Sequence, residues 1–277
     1  MGLRINTNLM AVNAQRNLRS NNMVLAGNVE KLASGNRINK SADDAAGLAI
    51  SEQLNANIKS YAQSGRNAQD GISFIQVAEG GMNEVSNMIT RLRELSVQAA
   101  SDTVGQRERG YLNNEVQQLK LEMERISQST EFNGTKLLNG SGDKLDFQIG
   151  IGNNEFNDRI SYQPGATNVT LDRLGLANID VTSKVTAQGG LEALDNSIAV
   201  LNENRAVLGA LQNRLFSTIQ NNEVAIENFS AAKSRIRDAD LSVVSSELSR
   251  DQVKAQASTA VLAQANSSTA VALKLIG

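Results

Sequence analysis

The 277-residue sequence contains no histidine, no cysteine and no tryptophan, and it has a single proline, Pro164. The commonest transition-metal ligands, the usual acid–base side chain and the thiol nucleophile are therefore all missing. Disulfides are excluded too, and a chain without cysteine is compatible with export in an unfolded form because no cross-link can block threading. A carboxylate pair or a Ser–Lys dyad is the chemistry that composition leaves open. The composition predicts a protein that is not an enzyme and needs no cofactor.

Aromatic residues make up only 3% of the chain, so its interior must be built from aliphatic side chains. The formal net charge is −2 and the isoelectric point is near 5.4, which argues against a nucleic acid as the main partner. The first residues lack the continuous apolar stretch of a secretory signal.

The nineteen residues from Ala255 to Leu273 carry no charge. Eight of them are Gln, Ser, Thr or Asn, which is too many for a bilayer-spanning helix, so no membrane insertion is expected. Something other than lipid must cover this segment. It is interpreted either as a core helix of a monomer or as an interface for assembly.

Apolar residues recur every seven positions in several blocks, a pattern typical of long helices that pack side by side. The main blocks cover residues 72–100, 112–126 and 191–229. The chain ends repeat the pattern more weakly, at Leu18, Leu25, Leu32, Leu248, Leu262 and Ile276. The C-terminal segment also has apolar residues such as Val271 on its other faces, which is typical of a helix buried on every side.

The region between these blocks has a different pattern. Leu145, Phe147 and Ile149 alternate with polar residues, and Ile160 and Tyr162 do so after an Asn/Asp-rich turn, which predicts a small β-hairpin unit. Residues 163–189 contain few apolar residues and are expected to form a loose connector. The predicted fold class is mainly α, an elongated coiled-coil-like helical bundle with a small β-hairpin unit and no large outer domains.

Several long motifs together resemble the bacterial flagellin family. They are "INTN" at 5–8, "LASGNRINKSADDAAGLAI" at 32–50, "GISFIQVAEGGMNEVSNMITRLRELSVQAASDT" at 71–103, "EFNGTKLL" at 131–138 and "SRIRDADLSVVSSELSRDQVKAQASTAVLAQAN" at 234–266. The resemblance covers about residues 1–165 and 190–277, and it leaves no room for the variable outer domains that many flagellins insert between them.

The resemblance implies a division of the chain. It predicts an N-terminal inner-core helix at 1–42, outer-tube helices plus the β-hairpin at 43–165, a connector at 166–189, a C-terminal outer-tube helix at 190–237 and a C-terminal inner-core helix at 238–277. In flagellins the two end helices pair and order on assembly, so Leu18, Leu25, Leu32, Leu248, Leu262, Val271 and Ile276 are the expected assembly residues.

The stretch "SGNRINKSADDAAG" at 34–47 has two interpretations. Asp43 and Asp44 could suggest acid–base chemistry, but no apolar pocket or histidine accompanies them, and Asp43 as a helix N-cap is the simpler alternative. The resemblance places the joint between the inner and outer helical layers here, with Gly35 and Gly47 allowing it to bend.

The stretch "TRLRELSVQ" at 90–98 also has two interpretations. A solvated helix face with ion pairs three residues apart is the default. The resemblance instead implies that Arg91, Leu95, Gln98 and, from the next helix, Glu115 are recognised by an animal innate receptor of the Toll-like class and contact neighbouring subunits.

The resemblance thus implies a structural subunit that self-assembles into the bacterial flagellar filament and drives swimming motility after type III export. The resemblance implies further partners: a flagellar export chaperone, the type III export apparatus, the filament cap and the hook-junction proteins. The expected location is the extracellular filament. A hook–filament junction protein and a secreted coiled-coil adaptor or effector are the alternatives.

Overall fold

The computed structural model describes the backbone of residues 7–274 and the side chains of residues 7–268. Three long helices come first: α1 (Leu9–Ser34), α2 (Ala45–Ala99) and α3 (Gln106–Ser129). They are followed by β1 (Glu131–Phe132), β2 (Thr135–Lys136), β3 (Leu145–Gln148), α4 (Glu155–Asp158), β4 (Arg159–Tyr162), α5 (Leu171–Leu174), α6 (Lys184–Arg237) and α7 (Leu241–Lys274). The mainly α fold with a small β unit is confirmed, since long helices dominate the described residues.

The chain divides into two compact units, one made of the described residues up to 56 and from 228 onward, the other of residues 57–227. Helix α1 ends at Ser34 and α2 begins at Ala45, while α6 ends at Arg237 and α7 begins at Leu241. The division at 42/43 and 237/238 stays a prediction. Within the described residues, none of the helices combines the length and hydropathy needed to cross a membrane.

The core of the 57–227 unit is built from the heptads that the sequence displays. Ile75, Met82 and Ile89 of α2 are completely buried, as are Val85 and Leu92 three residues behind them. They pack in one cluster with aliphatic residues of α3 and α6, namely Val116, Met123, Leu194, Leu201, Leu208 and Leu215. Because the seam is covered along its length, this unit has a continuous aliphatic core of its own.

The β unit consists of two short antiparallel pairs, β1 with β2 and β3 with β4. Leu145 pairs with Tyr162, and the register runs on to Gln148 opposite Arg159. The ring of Phe74 on α2 meets the edges of three rings from these strands, with centroids 4.9–5.8 Å apart. Phe74 therefore anchors both strand pairs to the helical core, and the predicted hairpin is confirmed.

The expectation of a loose connector at 163–189 is wrong. Val169, Leu174, Leu176, Ile179 and Val181 are buried in the core cluster. Their spacing is irregular, so the segment shows no period that would reveal its burial.

A buried lysine fastens the same segment. Lys120 of α3 donates hydrogen bonds from Nζ to the carbonyls of Ala177 at 2.6 Å and Ile179 at 3.1 Å. Burial lowers the pKa of Lys120, and nearby Asp180 opposes that shift. The ammonium group thus satisfies two carbonyls of the connector that the packed core would otherwise keep from water.

Candidate functional site

The two ends of the described chain form an antiparallel helix pair. Asn8 Nδ2 donates to the carbonyl of Ala265 at 2.8 Å, and Asn21 Nδ2 donates to Ser258 Oγ at 2.8 Å. Further along α1, Asn28 Nδ2 donates to Asp251 Oδ2 at 2.9 Å. As residue numbers rise along α1 they fall along α7, so residues near both termini lie side by side.

The base of this pair is closed by the backbone. Gly35 ends α1 with φ of 69°, a left-handed conformation that favours glycine, and its carbonyl accepts from Ala239 N at 2.9 Å. Arg37 N donates to the carbonyl of Arg237 at 2.6 Å, next to the antiparallel bridge between Asn36 and Asp238. The two links join the end of α6 to the end of α1 and fix where the helix pair starts.

The predicted assembly leucines lie at the edges of the pair rather than deep inside it. Leu18, Leu25, Leu248 and Leu262 are half-buried, and Leu32 is 37% exposed. Val271 lies in α7 beyond the last described side chain, and Ile276 lies outside the described residues. In the described part of α1 and α7 the buried positions are held mostly by small or polar residues: Ala14, Asn28, Val244, Asp251 and Ala265.

Large aliphatic side chains instead point outward from the pair. Met23 is 71% exposed and Val253 is 65% exposed, and Met10, Val24 and Val261 are exposed as well. A groove with a volume of about 410 Å³ runs between the helices at Ala14 and Ala265, with Met10 and Val261 on its rim. The pair therefore presents more large apolar side chains to its surroundings than it encloses.

The joint between α1 and α2 is held by two acidic side chains with different roles. Asp43 accepts from Asn39 N at 3.0 Å and Lys40 N at 2.9 Å, and these backbone bonds lower its pKa. Asp44, not Asp43, caps α2, since its Oδ1 accepts from Gly47 N at 2.8 Å. The N-cap assignment of Asp43 is therefore wrong: the carboxylate turns back to close the preceding turn.

Gly47 serves close packing in this joint. A Cβ on Gly47 would lie 2.8 Å from Ile38 Cδ1 and would collide with the Asp44 carboxylate. Ile38 is buried. The space at Gly47 is thus occupied by the neighbours that shape the joint.

The predicted receptor surface is partly assembled around Arg91. Its guanidinium contacts Glu115 of α3 at 2.8 Å and Glu94 at 2.9 Å. The hydrogen bonds that Arg91 donates to Glu94, first, and to Glu115, second, raise the pKa of Arg91. Gln98 is exposed, whereas Leu95 is only 1% exposed and packs in the core. The structure brings Arg91 and Glu115 together and places Leu95 behind them.

Sequence reasoning missed the polar contacts that join α1 to α7. Asn8, Asn21, Asn28, Asp251 and Ser258 make them. The available signal was the abundance of asparagine, 31 residues in all, inside helical patterns where it is a poor helix former. Among the described residues, no group of three or more acidic side chains is placed to hold a metal ion.

A helix pair made from both chain ends, joined to a unit with a complete aliphatic core, defines a helical structural subunit. The bacterial flagellin N-terminal helical region matches residues 5–143, and the bacterial flagellin C-terminal helical region matches residues 191–276. The chain belongs to the bacterial flagellin family, and its role is that of a structural subunit of the flagellar filament.

Individual relatives agree over the whole length. The chain is 43% identical to the flagellin of Halalkalibacterium halodurans over 272 residues, which cover 98% of this chain and 99% of that one. It is 38% identical to the flagellin of Bacillus subtilis over 308 residues, covering 99% of this chain and 100% of that one. The crystal structure of Bacillus cereus flagellin superposes with a TM-score of 0.51 at 26% identity, covering 57% of this chain and 88% of that one.

Proposed function

We propose that the α1–α7 pair is the surface through which copies of this chain assemble. The carrying observation is the set of outward-facing aliphatic side chains on both helices, together with the absence of charge from Ala255 to Leu273 of α7. Covering apolar surface gains about 25 cal/mol per Å², so neighbouring copies that bury Met23, Val24, Val253 and Val261 stabilise one another. A head-to-tail contact that does not close into a ring produces a helical filament.

The test is a charge placed on this face. Val253→Lys puts an ammonium group where a neighbouring copy would cover it, and an unpaired buried charge is costly. We expect seeded polymerisation of Val253→Lys to stop at concentrations where the parent chain grows filaments, as followed by light scattering and electron microscopy.

The matched control is Val185→Lys, because Val185 is 78% exposed and lies at the start of α6, outside the helix pair. It adds the same charge at an exposed valine and should polymerise like the parent. Normal growth by Val253→Lys would contradict the proposal.

The chain is further proposed to leave the cell unfolded through the type III export apparatus, with an export chaperone on its C-terminal segment, and to meet the filament cap and hook-junction proteins at the growing end. The absence of cysteine supports this route because no disulfide can obstruct passage. Deleting residues 241–277 should abolish binding of the chaperone measured by co-purification, while deleting only residues 7–34 should preserve it.

The joint around Gly35, Asp43 and Gly47 is proposed to be the hinge between the end helices and the rest of the chain. The left-handed Gly35 supports a change of direction there. Arg91, Leu95, Gln98 and Glu115 are proposed to form the region that the Toll-like receptor recognises and that contacts neighbouring subunits, with the buried Leu95 supporting α2 from within. The Arg91–Glu115 contact supports this assignment because it joins α2 and α3 into one surface.

A further inference from the structure

The interior of the α1–α7 pair contains a second seven-residue series besides the leucines. On α1 and its C-cap it comprises Ala14, Asn21, Asn28 and Gly35, and on α7 it comprises Val244, Asp251, Ser258 and Ala265. Asn21 meets Ser258 and Asn28 meets Asp251, one heptad apart on both helices. Ala14 and Ala265 line the same groove one heptad further on. The middle of this seam is therefore polar.

Asp251 is the buried acid of the seam. It is 3% exposed, and Asn28 opposite it is 6% exposed. Asp251 Oδ2 accepts from Asn28 Nδ2 at 2.9 Å, while Oδ1 lies 3.1 Å from Lys254 Nζ and 3.8 Å from Arg250 Nε on its own helix. Of these contacts, only the one to Asn28 crosses between the helices. A buried carboxylate is costly unless it is paired and hydrogen-bonded, so Asp251 needs a hydrogen-bond donor on the facing helix.

Other arrangements of the helices leave this carboxylate or its partner unsatisfied. A shift of one heptad in one direction sets Asp251 opposite Gly35, which has no side chain. The opposite shift gives Asp251 the amide of Asn21 but sets Asn28 against Val244. Two α7 helices packed through the same seam would offer Asp251 only Val244, Ser258, Ala265 or a second Asp251.

We propose that Asn28 and Asp251 are the specificity-determining residues that make α1 pair with α7 of its own chain in a single register. The need arises because assembly, as proposed above, crowds many copies of the same two helices together, and aliphatic contacts alone do not distinguish them. A polar residue buried in a helix seam sets register in the same way in coiled coils. This inference rests on the proposed assembly role of the helix pair.

The test exchanges the two side chains in the full-length protein. Asn28→Asp sets two carboxylates face to face, and like charges buried together are strongly unfavourable, so the critical concentration for seeded growth should rise at least about tenfold. Asp251→Asn leaves an amide opposite an amide, with a smaller rise of about threefold expected for the loss of a charge-assisted hydrogen bond. The double variant Asn28→Asp/Asp251→Asn restores an amide–carboxylate contact and should recover most of the growth lost by Asn28→Asp. Failure of the exchange to rescue Asn28→Asp would overturn the proposal.

Register is read directly, because the parent has no cysteine. Ala14→Cys with Ala265→Cys reports the observed register in assembled protein through a short thiol cross-linker, and Ala14→Cys with Ser258→Cys reports a shift of one heptad. The first pair should cross-link in the parent and in the double exchange. Asn28→Asp should lower the yield of the first pair, and an unchanged yield would contradict the proposal.

Two controls separate this inference from the one on which it rests. Asn21→Asp changes the same residue type one heptad away, where the hydroxyl of Ser258 can donate to the new carboxylate, so its effect should be smaller than that of Asn28→Asp. Val253→Lys tests assembly through the pair itself. If Val253→Lys blocks growth but Asn28→Asp does not, the pairing role is wrong and the assembly role stands. If neither blocks growth, the assembly role is wrong as well.

Discussion

The two units of this chain use the same seven-residue pattern and reach different results. In the 57–227 unit, Ile75, Ile89 and Leu92 are completely buried under other helices of the same unit. In the α1–α7 pair the leucines of the pattern are half-buried, and valines and methionines face outward. A heptad thus indicates that a face will be covered, but it does not indicate whether the cover comes from the same chain.

The difference lies in what surrounds each seam. Helices α2, α3 and α6 share one cluster that the connector and the strands also join. Two helices alone can cover only one stripe of each other, so a helix that is neutral on all sides keeps most of its surface open. The 57–227 unit has an aliphatic core of its own. We expect the helix pair to be completed by neighbouring copies of the chain.

The largest expected effect contrasts an interior residue with an exterior one. Ile89→Ala removes a completely buried side chain and should lower the free energy of unfolding of the isolated subunit by about 2–5 kcal/mol. Val253→Ala should change it by no more than about 0.5 kcal/mol, because that side chain is largely exposed in a single chain. Urea unfolding of both variants measures this. Equal losses would show that the helix pair is as self-contained as the core.

Two adjacent glycines of α2 sharpen the picture of how tightly the core is packed. A Cβ on Gly81 would lie 2.7 Å from Leu138 Cδ1, whereas a Cβ on Gly80 meets nothing within 4 Å. Gly81→Ala should therefore cost about 1–3 kcal/mol through overpacking. Gly80→Ala should stabilise by about 0.4–1 kcal/mol because it restricts the unfolded chain. Thermal unfolding of the two variants checks that their changes in stability have opposite signs. A stabilised Gly81→Ala would mean that Leu138 can move aside at little cost.

Tyr162 gives the core a dependence on alkaline pH. Its hydroxyl donates to the carbonyl of Leu137 at 2.8 Å, and burial raises its pKa above the ordinary 10.0. As pH rises past 10.0, the tyrosine of the unfolded chain ionises first, so this contribution to stability is lost between 10.0 and the higher folded pKa. Tyr162→Phe should cost about 1 kcal/mol near neutral pH and show a shallower alkaline decline.

The control for Tyr162→Phe is the parent chain measured at each pH. The lowered pKa of Lys120 acts in the opposite sense, because stability rises with pH in a window below 10.5, but that contribution is common to both proteins. The difference between the two urea-unfolding curves therefore isolates Tyr162. Parallel curves from pH 9 to 11 would rule out its role.

The smallest expected effect on stability is that of Arg91→Ala. Its ion pairs with Glu94 and Glu115 are exposed, and such pairs contribute little to folding. The unfolding midpoint should stay the same, while signalling through the Toll-like flagellin receptor should fall in a cell reporter assay. Arg125→Ala, which removes a similar exposed pair with Glu122, should leave signalling intact. Full signalling by Arg91→Ala would show that Arg91 does not belong to the surface that the receptor binds.

The sequence was sufficient to predict the elements that pack against partners with the same repeat of apolar residues. The seams of α2, α3 and α6 were visible as heptads, and the strands were visible as alternation around Phe147 and Ile160. Burial of the connector was not visible, since Val169, Leu176 and Val181 join the core at irregular intervals along the chain. Lys120 was missed because a lysine is normally solvated, and its burial depends on two carbonyls 57 and 59 residues away.

Only part of the candidate site was predicted from the sequence. The leucine series located the paired ends, but the second series of Ala14, Asn21, Asn28 and Gly35 is too small and polar to register as a hydrophobic pattern. The role of this series becomes clear only in the structure, where Asn28 contacts Asp251 and Asn21 contacts Ser258. Asp44 rather than Asp43 caps α2 because the turn from Lys40 to Asp43 brings the Asp43 carboxylate to the amides of Asn39 and Lys40. That is a matter of backbone geometry and not of residue type.

An interior of alanine, serine and asparagine also determines how easily the two end helices separate. Little apolar area is enclosed between them, so thermal motion can part a pair that no neighbour yet surrounds. We expect an end that has docked wrongly at a growing tip to detach and try again, whereas one that has docked correctly is sealed in by the next arrivals. Such weak packing between the two end helices would allow a growing polymer to correct errors without help from another protein.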